Sequence, residues 1–251
     1  MSEHDPRTAP IHEVKAYLNQ VRHRPVGRNK SPGAHSIVVP KASYSPWRDS
    51  TEFKEDHRIV AKNTLVDVYR CFELWSLVAQ ALKHPGDILE VGVWRGGTGV
   101  LMAQQAQRIA PLTKVYLCDT FAGVVKAGEK DNGYKGGEHA DTSVEIVQDL
   151  IDLAGVNNVE ILTGIFPDDG GDKLQDRRFA LCHIDVDVYD SAKAVFDWVW
   201  PKLNVGGMVV FDDYGFLMCH GVTQLANEVA VGEDRVFFHN LNGHAVIVKL
   251  S

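Results

Sequence analysis

Two acidic blocks stand where apolar strands should end. One is His183-Ile184-Asp185-Val186-Asp187-Val188-Tyr189-Asp190-Ser191; the other is Phe211-Asp212-Asp213-Tyr214-Gly215, after Gly206-Gly207 and an apolar run. Uninterrupted apolar strands belong inside a parallel sheet, where their carboxyl ends share one edge. Asp185, Asp212 and Asp213 are therefore expected to converge. Three carboxylates in one place repel, and a hard divalent cation relieves the repulsion. Mg²⁺ suits such a set, because it takes oxygen ligands in an octahedron and keeps positions for water or substrate. A helix cap explains one aspartate at a strand end, and Asp190 and Ser191 read as that cap. Capping does not explain Asp212 and Asp213 together. His183 and His220 have no partners at zinc-site spacing.

A second chemical signal lies upstream, in Asp87-Ile88-Leu89-Glu90-Val91-Gly92-Val93-Trp94-Arg95-Gly96-Gly97-Thr98-Gly99. This is an apolar strand running into a glycine-rich turn and a helix. Glycines at such a turn let the backbone approach a ligand, and in an open parallel sheet that ligand sits beyond the strand ends. The spacing is not the dinucleotide fingerprint. Glu90, two residues before Gly92, would repel a pyrophosphate and suits a cationic amino-acid moiety. Gly92, Gly96 and Thr98 are the turn residues expected to meet the ligand. The next strand ends in Asp119-Thr120-Phe121, with Asp119 placed to accept from ribose hydroxyls. The third runs into Gly164-Ile165-Phe166, an apolar wall suited to an adenine ring. The pattern is that of an adenosyl cofactor, with a nicotinamide cofactor disfavoured.

These residues need a scaffold, and the remaining sequence supplies one. Strands are expected near 88–93, 114–118, 159–163, 179–184 and 208–212, with helices near 97–110, 142–154 and 191–203. Alternation of this kind specifies a Rossmann-like, doubly wound, mostly parallel α/β sheet. Val236–Phe238, Asn240-Leu241-Asn242-Gly243 and Ala245–Leu250 read as a closing antiparallel hairpin. Apolar residues at helical spacing over 59–82 give one helix, stopped by His84-Pro85-Gly86. Residues 57–251 form the expected domain. Residues 1–56 hold six prolines and read as an irregular extension, with a short helical stretch around 11–21. Ile37, Val38, Val39, Tyr44 and Trp47 are its anchors as a partly docked cover. Residues 121–141 contain Gly123, Gly128, Gly133, Gly136 and Gly137 and are the candidate lid.

Composition narrows the class. A net charge of -7 argues against a nucleic-acid partner, which needs a basic face. No apolar run approaches the ~20 residues of a membrane span, and no signal peptide is visible. Four scattered cysteines suggest reduced thiols, so the expected location is the cytoplasm. A homo-oligomer is left open, since the aromatic N-terminal segment can pack on its own domain or on a partner subunit.

From about residue 82 onward the chain resembles the macrocin O-methyltransferase (TylF-type) family. The matching elements are Glu90-Val91-Gly92 with its glycine turn, Asp119-Thr120-Phe121-Ala122-Gly123, His183-Ile184-Asp185-Val186-Asp187, and Gly206-Gly207 leading to Asp212-Asp213-Tyr214-Gly215. The resemblance implies a class I methyltransferase fold and Mg²⁺-dependent transfer of methyl from S-adenosylmethionine to a sugar hydroxyl of a glycosylated secondary metabolite in antibiotic biosynthesis. It implies Asp185, Asp212 and Asp213 as metal ligands and a mobile lid. A carboxylate could take the proton, Asp185 first and Asp187 second, with His139 in the lid a weaker third. Two other readings stay open: methylation of a catechol or other phenol, and a non-catalytic subunit that binds an adenosyl cofactor.

Overall fold

The computed structural model describes residues 10–21, 24–26, 35–37 and 44–251. The chain divides into two compact units, Met1–Pro46 and Trp47–Ser251. In the first, helix α1 spans Ile11–Val21, at the place of the expected short helical stretch. Strands β1 (Arg24–Val26) and β2 (His35–Ile37) pair antiparallel where only loop was expected. Val38 and Val39, two anchors of the expected cover, lie outside the described residues.

The second unit begins at Trp47 rather than after residue 56. The reason is helix α2 (Thr51–Val60), which Ser50 caps by accepting from the Phe53 amide, and which buries Phe53, Asp56 and Val60 on one stripe. The helix expected over 59–82 therefore begins later: its first two residues end α2, and residues 61–67 form a turn. Helix α3 (Val68–Ala81) starts afresh at Asp67, whose Oδ1 accepts from the amides of Tyr69 (2.9 Å) and Arg70 (3.1 Å). Apolar periodicity runs through the break, and only the aspartate cap marks it.

The main sheet contains β3 (Asp87–Val91), β4 (Val115–Asp119), β5 (Val159–Thr163), β6 (Phe179–Ile184), β7 (Leu203–Phe211), β8 (Arg235–His239) and β9 (Ala245–Lys249). Its order is β5-β4-β3-β6-β7-β9-β8. Strands β3 to β7 are parallel, and β9 runs antiparallel to both β7 and β8. The crossover helices are α4 (Gly97–Ile109), α5 (Val144–Ala154), α6 (Tyr189–Val199) and α7 (His220–Val229). Strand alternation divides the core in two. Leu89, Cys182 and Val209 pack with α6 and α7, while Ile88, Leu181 and Val210 pack with α3 and α4. From β3 the chain builds outward through β4 and β5, then returns to β6 on the other side of β3. A crevice opens where the order reverses, at the carboxyl ends of β3 and β6.

Asp190 and Ser191 do not cap α6. The N-cap position belongs to Val188, which offers no side-chain bond. The Tyr189 amide donates instead to Asp131 Oδ1 (2.9 Å), and Ser191 Oγ donates to the Val125 carbonyl (2.8 Å). The cap thus comes from the glycine-rich interval, far away in sequence. All four cysteines are buried and unpaired. No helix among the described residues is long and apolar enough to cross a membrane.

Candidate active site

A cleft occupies the switch point. Of the residues singled out in the sequence, Gly92, Thr98, Asp119, Thr120, Gly164, Ile165, Phe166, Asp185, Asp187, Asp212 and Asp213 line it. The wall at Gly92 admits no side chain: φ is +89°, and a Cβ there would overlap the Asp185 carbonyl oxygen. Asp119 holds the turn that follows. Its Oδ2 accepts from the amides of Val93 (2.6 Å) and Trp94 (2.9 Å), and its Oδ1 from Phe121 (2.7 Å). A carboxylate has about four acceptor positions, so one remains for a hydroxyl in the cleft. Phe166 gives the cleft one edge only, since its ring is mostly buried edge-on against Trp198, 4.8 Å between centroids.

Three expected contacts are not among the lining residues. Glu90 lies on the strand face covered by α4, beneath Gly99, with its side chain fully buried. His183 Nδ1 donates to its Oε1 across 2.8 Å; a carboxylate can only accept, which places the proton on that nitrogen. Gly96 opens α4 at φ +86° and backs onto Val147. Phe121, at φ +53°, packs on the α3–α4 side of the core.

The acids do come together. Asp185, Asp187, Asp212 and Asp213 all line the cleft, and Arg70 of α3 lies among them. Arg70 Nη1 donates to Asp212 Oδ1 (2.5 Å) and Asp213 Oδ1 (3.1 Å), while its Nε donates to Asp67 (3.0 Å). Burial pushes this guanidinium's pKa down, but Asp212 and Asp213 more than offset it and hold the pKa above its ordinary value. Burial pushes Asp185 well up, and the charges of Asp212 and Asp213 push it further. The same causes, burial and then Asp212 and Asp187, raise Asp213 to about 7. Burial also raises Asp187. Asp212 goes the other way: burial opposes its charge, but His244, Arg70 and His183 hold it well below the usual carboxylate range. Asp187 and Asp213 both sit at positive φ, +63° and +60°, a costly conformation for a side chain. The cluster is rich in hard oxygen donors and short of positive charge, which is the condition a divalent cation answers.

His183, read as lacking partners, has them in the folded chain. Its Nε2 is 3.8 Å from Asp212 Oδ2, and His244 Nε2 is 3.3 Å from Asp212 Oδ1. Among the described residues, two sets bring potential ligand atoms within 4.8 Å of one another: His183–Asp212–His244 and Asp187–Asp213–Cys219. The expected trio shares the rim but is divided between these sets, with Asp185 in neither. His220 opens α7. Arg70, Tyr134 and His244 were missed in the sequence. Arg70 was the findable one, a charged residue on the apolar stripe of α3 beside Cys71 and Leu74.

The glycine-rich interval supplies one wall. It has no helix or strand, and it contributes Gly123, Val124, Val125, Tyr134 and His139 to the cleft. Its far end is clamped to the glycine turn: Trp94 Nε1 donates to Asp141 Oδ1 (2.9 Å) and Arg95 to Asp141 Oδ2 (2.8 Å).

Comparison with known proteins identifies the family. Residues 43–231 match the family model described as macrocin O-methyltransferase (TylF). The chain is 31% identical over 189 residues to mycinamicin III 3''-O-methyltransferase of Micromonospora griseorubida, covering 68% of this chain and 72% of that one. It is 31% identical over 197 residues to demethyldecarbamoylnovobiocin O-methyltransferase of Streptomyces niveus, covering 68% and 71%. Among solved structures, the O-methyltransferase NovP superposes with TM-score 0.61 at 23% identity, over 75% of this chain and 83% of that one. Calicheamicin methyltransferase CalS11 does so with TM-score 0.63 at 19% identity, over 84% and 99%. The chain belongs to the macrocin O-methyltransferase (TylF) family and is an O-methyltransferase.

Proposed function

We propose that this enzyme transfers the methyl group of S-adenosylmethionine to a sugar hydroxyl of a glycosylated secondary metabolite, with Mg²⁺ held by Asp185, Asp212 and Asp213. The observation that carries the reading is four carboxyl groups gathered beside the glycine turn in one cleft. Membership of the family supports methyl transfer, and the two relatives named above support a natural-product acceptor.

When bound, S-adenosylmethionine supplies an electrophilic methyl group, and Mg²⁺ lowers the pKa of a hydroxyl that it meets. The chain's own residues do the rest. Gly92 leaves room for the donor, Asp119 has an acceptor position for its ribose, and Ile165 with the edge of Phe166 walls its adenine. With Glu90 withdrawn beneath α4, Asp185 beside Gly92 is the carboxylate facing a cationic amine. Asp187 is the base in this reading, because Asp185 is assigned to the donor's amine and to the cation. Its carboxylate takes the proton of the acceptor hydroxyl while the cleft holds the two reactants in line, and positioning supplies much of the acceleration. Arg70, paired with Asp212 and Asp213, compensates part of the acids' charge.

Titration calorimetry of S-adenosylmethionine into metal-stripped protein, then with Mg²⁺, tests both ligands. Wild type should bind each. Asp212→Asn should lose roughly 10²-fold or more in turnover on a glycosylated acceptor, while donor affinity stays within about threefold. Equal loss of both would make Asp212 structural, and methylation of phenols alone would move the acceptor to the catechol class.

A further inference from the structure

The turn of the C-terminal hairpin, Asn240 to His244, is tied to α3 through one residue, Glu73. Glu73 Oε2 accepts from His244 Nδ1 (2.7 Å) and Asn242 Nδ2 (2.9 Å), and Asn240 Nδ2 donates to Oε1. The opposite nitrogen of the His244 ring faces Asp212 Oδ1 at 3.3 Å. His244 is fully buried and Glu73 half-buried. The turn is also fastened to the loop that carries the acids: the Tyr214 amide donates to the Gly243 carbonyl (2.7 Å). Gly243 sits at φ +108° against the Phe216 ring, where a side chain would not fit. On the other side of Asp212, His183 is fixed by Glu90. Asp212 is thus flanked by two imidazoles, each held from behind by a carboxylate. This is the arrangement by which proteins orient the groups around a functional carboxylate or metal.

We propose that Glu73, Asn240, Asn242 and His244 form a clamp that positions Asp212, so that the closing hairpin sets the geometry of the acid cluster. They are positioning residues: none lines the cleft. The clamp rests on the proposed role of Asp212 in holding a cation, and it goes beyond that role by assigning work to a turn otherwise needed only to join β8 and β9.

The test uses Mn²⁺ as probe, its free concentration read by electron paramagnetic resonance on the full chain without donor or acceptor. Glu73→Gln should weaken Mn²⁺ binding about tenfold or more with S-adenosylmethionine affinity unchanged. Asn242→Ala, which removes one of the three bonds to Glu73 and the His244 amide's bond to Asn242 Oδ1, serves as second variant where Glu73→Gln does not fold and should weaken it less. A second measurement needs no metal: the downfield ring N–H proton signal of His244. It should shift in Asp212→Asn and vanish in Glu73→Gln. Unchanged Mn²⁺ affinity in folded Glu73→Gln would overturn the clamp. So would a His244 signal blind to Asp212→Asn, or stoichiometric zinc lost in His183→Ala, which would make the imidazoles ligands. If wild type takes up no Mn²⁺, the metal part of the proposed function fails, and the His244 signal alone decides the clamp.

Discussion

At the scale of residues, the acids of the cleft differ in charge although they differ little in position. Asp212 is ionised because Arg70, His244 and His183 surround it; Asp213, one residue on, sits at about 7 because burial and its acidic neighbours disfavour its charge. Between the ordinary carboxylate range and 7, the folded protein keeps the Asp213 proton that the unfolded chain has lost. This group therefore makes stability fall as pH rises through that window. A cation reverses the preference, since it needs the ionised form. Mg²⁺ affinity is accordingly expected to weaken by up to about tenfold per pH unit below 7, with proton release on binding. Calorimetry in two buffers of different ionisation heat measures both, and affinity independent of pH through this window would remove Asp213 from the ligand set. None of this was readable from the acids alone. The sequence showed four carboxyl groups at two strand ends, but their charges depend on partners from α3 and from the turn after β8.

At the scale of elements, the glycine-rich interval is a wall with tethers. Asp131 links it to the first turn of α6 through the Tyr189 amide, and its other oxygen accepts from Gly128 within the interval (2.8 Å). Asn132 Nδ2 donates to the Leu217 carbonyl (2.7 Å), beyond the acidic loop. If this wall acts as the proposed lid, its closure over a bound acceptor would exclude water, and these bonds would resist its opening. Asp131→Ala removes both a cap and a tether. It is expected to cost about 1 kcal/mol of stability and to speed limited proteolysis within residues 121–141, with added S-adenosylmethionine restoring part of the protection. Cleavage elsewhere, or at an unchanged rate, would count against the tether. Glycine content marked this segment as special in the sequence. The role of Asp131 was hidden, because a cap donated from another element leaves no local signature.

At the scale of the whole molecule, the unit from Trp47 to Ser251 has its own two-layered core and contains every residue of the proposed site. A chain starting at Trp47 is therefore expected to fold and to bind S-adenosylmethionine within about threefold of the full chain, as far-UV circular dichroism and calorimetry would show. Failure would assign residues 1–46 a part in the site. The alternation of strands and helices, the parallel sheet with its antiparallel closing hairpin, the glycine turn and the two acidic blocks were all legible in the sequence by itself. They follow from local causes: apolar runs, turn residues, and the rule that parallel strands share a carboxyl edge. What only the tertiary structure decided is which side chains at that edge face the cleft and what holds them. Strand alternation turned Glu90 away under α4, and a cap at Asp67 moved the start of the expected helix to Val68. Arg70 from α3 and His244 from the far hairpin met at Asp212. Those outcomes depend on contacts between residues distant along the chain, and such contacts exist only once the layers have packed.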